Sequence, residues 1–285
     1  MLSLLSKLNT ASHSTAAVDC HFHIFRAHQA VRGARYKPSY AAELGDWSSR
    51  ALPLGVQRGL LVQPSFLGTD NSLMLQALAQ SGGALRGVVV LDPATPTPGG
   101  VLRQMHVLGV RGIRLNLSGV NHDVQAWVQA NGLWADLTAL GWHLELHTDP
   151  GALPGVLAQL LPSLPPRLCV VMDHFAKPAA VSAQDATVLV LRKMAAAGRP
   201  VVVKLSGAYR IGVLDPAALA RLWLAELGPH SLVWGSDWPC TNFEPLADYA
   251  KLHNSLDEWL DDPVIVRQVR VENPNRLLWG DEPAV

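Results

Sequence analysis

The side chains best able to do chemistry are four histidines and an aspartate spread along the chain. Asp19-Cys20-His21-Phe22-His23 sets two imidazoles two residues apart, a spacing that in a β-strand turns both to one side. Such a pair can ligate a divalent ion or donate hydrogen bonds to a developing oxyanion, and two hydrogen-bonded core histidines are the plain alternative. His147 closes His143-Leu144-Glu145-Leu146-His147, His174 follows Asp173, and Asp237 sits in Gly235-Ser236-Asp237-Trp238-Pro239. Any one of these could merely cap a helix. Their convergence at the ends of separate apolar runs points to general-base or ligand chemistry.

Cations join them. Arg114, in Gly112-Ile113-Arg114-Leu115-Asn116, and Arg210, beyond Lys204 and Ser206, fall at or near two further run ends. A buried guanidinium needs a compensating anion, so Arg114 implies either a protein carboxylate, with Glu145 the candidate, or a carboxylate substrate. His143 and Glu145 read as buried hydrogen-bond partners beneath the site. The stretch from Gln63 to Asn71 is rich in hydroxyls and amides, and could equally be a turn into a helix capped by Thr69 or Asp70.

The elements that must position these groups follow from the spacing of short β-branched runs. Val18–Phe25, Gly59–Pro64, Arg86–Asp92, Val110–Asn116, Trp142–Thr148, Leu168–His174, Pro200–Ser206 and Ser231–Asp237 make eight candidate strands. Their starts lie roughly 25 to 40 residues apart, the length of a β/α unit, which predicts an α/β fold, a (β/α)8 barrel. In that fold the chemistry sits at the C-terminal ends of the strands. Ser182 is placed to cap a helix over Ala183–Ala197, and Asp215-Pro216 to start one that stops at Gly228. The 26–54 insertion after the first strand would hang over the active face as a lid. No linker divides residues 1–285, which read as one domain; an open doubly wound sheet is the alternative, disfavoured because no GxGxxG follows the first strand.

Composition narrows the function classes. With 49% hydrophobic and 16% charged residues and 23 basic against 23 acidic side chains, the chain has no global field for a polyanion and no stretch for a membrane span. The expected partner is a small molecule; nothing here speaks to oligomeric state. Cys20, Cys169 and Cys240 lack CxxC spacing, and Met1–Leu8, interrupted by Lys7, reads as no secretory signal, so a cytoplasmic location is expected.

The run from Val18 to Phe25, Val62-Gln63-Pro64-Ser65 with Gly68-Thr69-Asp70-Asn71, Gly112 to Asn116, Asp173-His174 with Lys177-Pro178, and Gly235 to Pro239 resemble the amidohydrolase superfamily over nearly the whole chain. Within it they resemble the branch often labelled amidohydrolase 2, and there the 2-pyrone-4,6-dicarboxylate lactonases. The resemblance implies a lactone hydrolase with Asp237 as general base and His21, His23 and His174 polarising the carbonyl. Arg114, Arg210, Ser65, Asn71 and Tyr36 would hold substrate carboxylates, with Lys177 where the closest lactonases carry arginine, and His147 beside them. The superfamily often binds one or two divalent ions. Arg114 cannot form the carbamate that a strand-four lysine provides, which argues against two. One ion such as zinc on His21, His23, His147 and Asp237 is the alternative to the metal-free reading, which is preferred because the resemblance implies metal-independent lactonases and a site rich in Arg114 and Arg210 has less need of a dication; an activated ester needs no ion. A metal-dependent decarboxylase using His147, a sugar lactonase, and an inactive carboxylate-binding barrel remain the rivals.

Overall fold

The computed structural model describes residues 16–120 and 124–280; Met1–Leu8 lies outside them. Eight strands form one sheet in sequence order: β1 (Ala17–Phe22), β2 (Val56–Val62), β3 (Leu85–Val89), β4 (Val110–Asn116), β5 (His143–His147), β6 (Val170–Met172), β7 (Val201–Leu205) and β8 (Leu232–Trp234). Every adjacent pair is parallel. A parallel bridge between Phe22 and Trp238 joins the last strand to the first, with Asp237 N donating to His21 O at 2.8 Å and His23 N to Trp238 O at 2.9 Å. The fold is therefore a (β/α)8 barrel, and all eight expected strands are present, most of them shorter than the sequence suggests.

The helices are α1 (Leu44–Ala51), α2 (Ser72–Gln80), α3 (Gly99–Leu108), α4 (Gln125–Val128), α5 (Asn131–Ala139), α6 (Leu153–Leu160), α7 (Ala186–Ala196), α8 (Pro216–Leu227), α9 (Tyr249–Leu260), α10 (Pro263–Arg267) and α11 (Asn273–Trp279). Asp215 caps α8 as expected, accepting from Ala217 N. The cap of α7 is Asp185, accepting from Thr187 N, and Ser182 instead accepts from Gln184 N. A carboxylate at the helix start complements the exposed N–H groups and the dipole better than the earlier hydroxyl. None of the described helices is long and apolar enough to cross a membrane.

The barrel interior is layered. Its lower part is apolar, with Val18, Leu60, Val88, Val171, Val202 and Val233 packed together and Leu278 and Trp279 of α11 against them. Strand alternation then carries charge upward: two residues past Val171 stands Asp173, two past Val202 Lys204, and four past Val233 Asp237. A second, larger core lies between the sheet and the helices, including Trp47, Trp134 and Trp223. The strands are thus apolar on both faces through the middle of the barrel, with buried Arg58 and Arg86 over Trp279 at its foot, and polar inside at the top.

Candidate active site

Strand exits aim the polar groups at one cavity of about 220 Å³, a size suited to a small ring with few substituents. His23, His147, His174, Arg114, Arg210 and Asp237 line it, together with Ser65 and Tyr36. Two exits turn left-handed: Asp237 has φ 56°, and His174 to Lys177 all have positive φ. Such backbone is costly for residues with a Cβ and occurs where a side chain must be re-aimed. Gly207 makes room for both: a Cβ there would lie 2.7 Å from His174 Nδ1 and 3.0 Å from Asp237 Oδ2.

Asp237 is fully buried, and its two oxygens differ. Oδ2 accepts from Tyr209 OH at 2.7 Å and Arg210 Nε at 2.5 Å. Oδ1 has no hydrogen-bond partner and faces His23 Nε2 at 3.4 Å and His21 Nε2 at 3.6 Å. Burial pushes the carboxyl up, but the Arg210 guanidinium, with His174 and the other imidazoles, holds it well below the usual carboxylate range. The group is an anion with one tethered and one open oxygen.

The histidines differ in the same way. His23 Nδ1 lies 2.7 Å from Val62 O; a carbonyl only accepts, so Nδ1 carries a proton and Nε2 is the nitrogen turned to Asp237. His21 Nε2 is also without a partner. Burial, reinforced by Lys204 against the opposing Asp173, lowers His21 to about 4, so this ring is neutral at pH 7. His174 Nδ1 is 3.0 Å from Ser206 Oγ, and burial keeps the imidazole well below its ordinary value despite Asp237. His147 lies between two cations, with Arg114 Nη2 3.2 Å from Nδ1 and Lys177 Nζ 2.8 Å from Nε2.

This geometry corrects several expectations. Arg114 pairs with Asp173, Nε to Oδ2 at 2.8 Å, and not with Glu145, although Glu145 is its register neighbour on β5. The long side chain reaches up to the exit of β6, and Glu145 is taken by Lys204. Arg210 holds Asp237 and donates to Thr241 O, so its charge too has a protein partner. Asn71 does not line the cavity: its amide bridges Thr69 O and Val90 O and accepts from Val90 N, stitching two loops. Lys177 is buried behind His147 and also stays outside the lining. Tyr36 reaches the cavity with its hydroxyl on Glu244, and Ser65 opens into it.

A metal fits part of the expected ligand set. His21, His23 and Asp237 offer one ligand atom each within 4.8 Å of one another, and the partnerless His21 Nε2 and Asp237 Oδ1 are the kind of imidazole nitrogen and carboxylate oxygen that take one divalent ion. His147 drops out of that set because its two nitrogens already face Arg114 and Lys177, which would repel a third cation. A second grouping, His21, Asp173 and His174, fits less well: Lys204 Nζ already stands 3.3 Å from both His21 Nδ1 and Asp173 Oδ1.

A family model described as Amidohydrolase matches residues 18–279. The chain belongs to this amidohydrolase family. Among curated relatives of this amidohydrolase, a 4-sulfomuconolactone hydrolase of Rhizobium radiobacter is 29% identical over 275 residues, covering 92% of this chain and 89% of that one. A 2-pyrone-4,6-dicarboxylate hydrolase of Comamonas testosteroni is 28% identical over 284 residues, covering 93% and 91%. Of solved structures, a probable 2-pyrone-4,6-dicarboxylic acid hydrolase from Acinetobacter baumannii with citric acid bound superposes with TM-score 0.80 at 29% identity, covering 92% of this chain and 99% of that one.

Two residues of the site escaped sequence reasoning. Tyr209 holds the open carboxylate from beside Arg210, and Arg35 reaches the cavity from the insertion after β1. For Tyr209 the adjacent arginine was a signal; Arg35 is one of several exposed basic residues, and only the path of the loop singles it out.

Proposed function

We propose that this chain hydrolyses the ring ester of a small lactone carrying anionic substituents, with 2-pyrone-4,6-dicarboxylate or a close analogue as substrate. The observation that carries the proposal is the buried, unpartnered Oδ1 of Asp237 facing the Nε2 atoms of two imidazoles beside a small cavity lined by three arginines. Both curated relatives are named for lactones bearing acid groups, and the structural relative holds a tricarboxylate. The catalytic unit is the single domain 1–285, and the three unpaired cysteines suit a cytoplasmic setting.

In this reading Asp237 Oδ1 takes a proton from water while Tyr209 and Arg210 keep Oδ2 fixed, and the water oxygen attacks the ring carbonyl. When Ser206 donates to His174 Nδ1, the ring proton sits on Nε2, which supplies a hydrogen bond to the developing oxyanion. As the C–O bond breaks, Asp237 returns its proton to the ring oxygen, leaving an enol or alcohol and a new carboxylic acid, which releases its proton to solvent at neutral pH. Proton transfer of this kind is worth about 10² to 10⁴ in rate, enough for an activated ester. His21, His23 and Asp237 would hold a divalent ion where one is bound, which supplies Lewis-acid stabilisation of negative charge. Lys177, behind His147, adds positive charge to the wall that Arg114, paired with Asp173, helps to form; Ser65 and Tyr36 also line the cavity, and that charge favours an anionic ring over a neutral polyol.

The test is a panel followed by absorbance or product formation, with and without chelator: 2-pyrone-4,6-dicarboxylate, aldonolactones and aromatic hydroxy acids. Turnover of the pyrone dicarboxylate above the other classes is the expected result. Preference for a neutral sugar lactone, or carbon dioxide release from a hydroxy acid abolished by chelator, would overturn it.

A further inference from the structure

Three arginines line the cavity, but their charges are not equally available to a ligand. Arg114 is paired with Asp173 and Arg210 with Asp237, all four groups buried or nearly so. Each of these pairs is close to neutral as seen by a substrate. Arg35 differs. Among the described residues no carboxylate forms an ion pair with it, and its hydrogen bond goes from Nη2 to the carbonyl of Ser118 at 2.7 Å. A carbonyl leaves the positive charge uncompensated, and a guanidinium has further N–H donors to offer.

The seat of Arg35 is specific. The side chain comes from the β1–α1 loop, whose base is fixed by reciprocal hydrogen bonds between Phe25 and Ala42 at 2.9 Å. It lies across the β4–α4 loop at Ser118 and Gly119, where a Cβ on residue 119 would fall 2.1 Å from Arg35 Nη1. A side chain at residue 119 would push the guanidinium out of this position, and φ 67° favours glycine there. Asp237, which does the chemistry in the proposed reaction, lines the same cavity from the β8 exit, so Arg35 marks the mouth and not the reacting centre.

We propose that Arg35 is the residue that binds a second carboxylate of the substrate, one projecting from the ring away from the reacting carbonyl, and so sets the preference for dianionic over monoanionic ligands. The inference rests on the lactone reading for the identity of the ring, but not for the charge at the mouth. The alternative, that Arg35 merely ties two loops together through Ser118, predicts equal losses for every ligand.

Calorimetric titration of wild type, Arg35→Met and Arg35→Lys with benzene-1,3-dicarboxylate and with benzoate separates these, since it requires no turnover. Arg35→Met should weaken the dicarboxylate about tenfold and benzoate less than about twofold, Arg35→Lys should lose less than Arg35→Met, and the difference should shrink in about 0.5 M salt. Gly119→Ala should copy Arg35→Met in this selectivity. Equal losses for both ligands, no loss, or a wild type that does not bind the dicarboxylate would overturn the proposal. A wild type that opens no lactone yet shows the selective loss would overturn the lactone reading and leave the Arg35 subsite standing; pyrone turnover with no selective loss would do the reverse.

Discussion

Two polar layers stacked in one barrel are built from the same residue types and behave oppositely. In the lower layer Lys204, fully buried, touches Glu145 and stands 3.3 Å from Asp173, while His143 donates to the same Glu145 at 3.1 Å. In the upper layer Asp237 Oδ1 and His21 Nε2 face each other with no hydrogen-bond partner. Burial raises Glu145, and Lys204 outweighs it to leave that carboxyl lowered. Asp237 is lowered too, chiefly by the Arg210 guanidinium on Oδ2 and by the imidazoles around it. What separates a structural charge from a chemical one is therefore not burial or pKa. It is whether the group opens onto the cavity: Asp237 lines it, while Glu145 and Lys204 do not, although Glu145 Oε2 and Asp173 Oδ1 are as partnerless as Asp237 Oδ1.

The sharpest way to break the comparison is to remove a lower-layer charge. Lys204→Met leaves Glu145 and Asp173 buried without their cation, and a broken buried pair costs about 3–5 kcal/mol. Urea unfolding should show that loss, whereas a change under about 1 kcal/mol would mean the layer is not holding the barrel.

Tyr209→Phe is the next test and probes the upper layer without touching Oδ1. It removes one of two hydrogen bonds on Asp237 Oδ2, and a lost bond to a charged group is worth about 1.5–3 kcal/mol. The expected result is a kcat lower by about tenfold or more with unfolding changed far less. Unchanged kcat would show that the tether on Oδ2 has no part in the chemistry.

The smallest expected effect is on pH. Burial, together with Arg210 and Arg114 and against Asp149, lowers Lys177 to about 8, so this amine is charged below that pH and loses its proton above it. The wall behind His147 is then most positive below pH 8, and kcat/KM for an anionic lactone should fall a few-fold as pH rises through about 8, after subtraction of base hydrolysis. Lys177→Met should flatten that limb. On the acid side His21, lowered to about 4, stays neutral until the pH falls near that value. A limb near the ordinary histidine value would contradict the burial of this ring.

The sequence showed where polar groups leave the strands, because alternation and the eight-fold spacing are local properties. Asp237, His21, His23 and His174 were placed at strand exits by that logic alone, and they meet. Partnership was harder to read, since it depends on side-chain reach between strands. Glu145 sits beside Arg114 in register, yet the guanidinium climbs to Asp173. His147 looked like a ligand from its position at the end of β5, and the two cations that occupy it come from β4 and from the left-handed turn after β6. Asn71 was grouped with substrate contacts by its motif, while its amide is consumed by the backbone of its own and the next loop. Arg35 carried no local signal.

The most direct test of the distinction between buried charges that face the cavity and those that do not is hydrolysis of 2-pyrone-4,6-dicarboxylate by wild type and Asp237→Asn, measured beside their urea unfolding curves. Asparagine keeps the shape of the side chain but supplies no basic oxygen. The account predicts turnover by wild type and a loss of at least about 10³-fold in Asp237→Asn, with the variant still folded. Turnover within a few-fold of wild type in Asp237→Asn would contradict it.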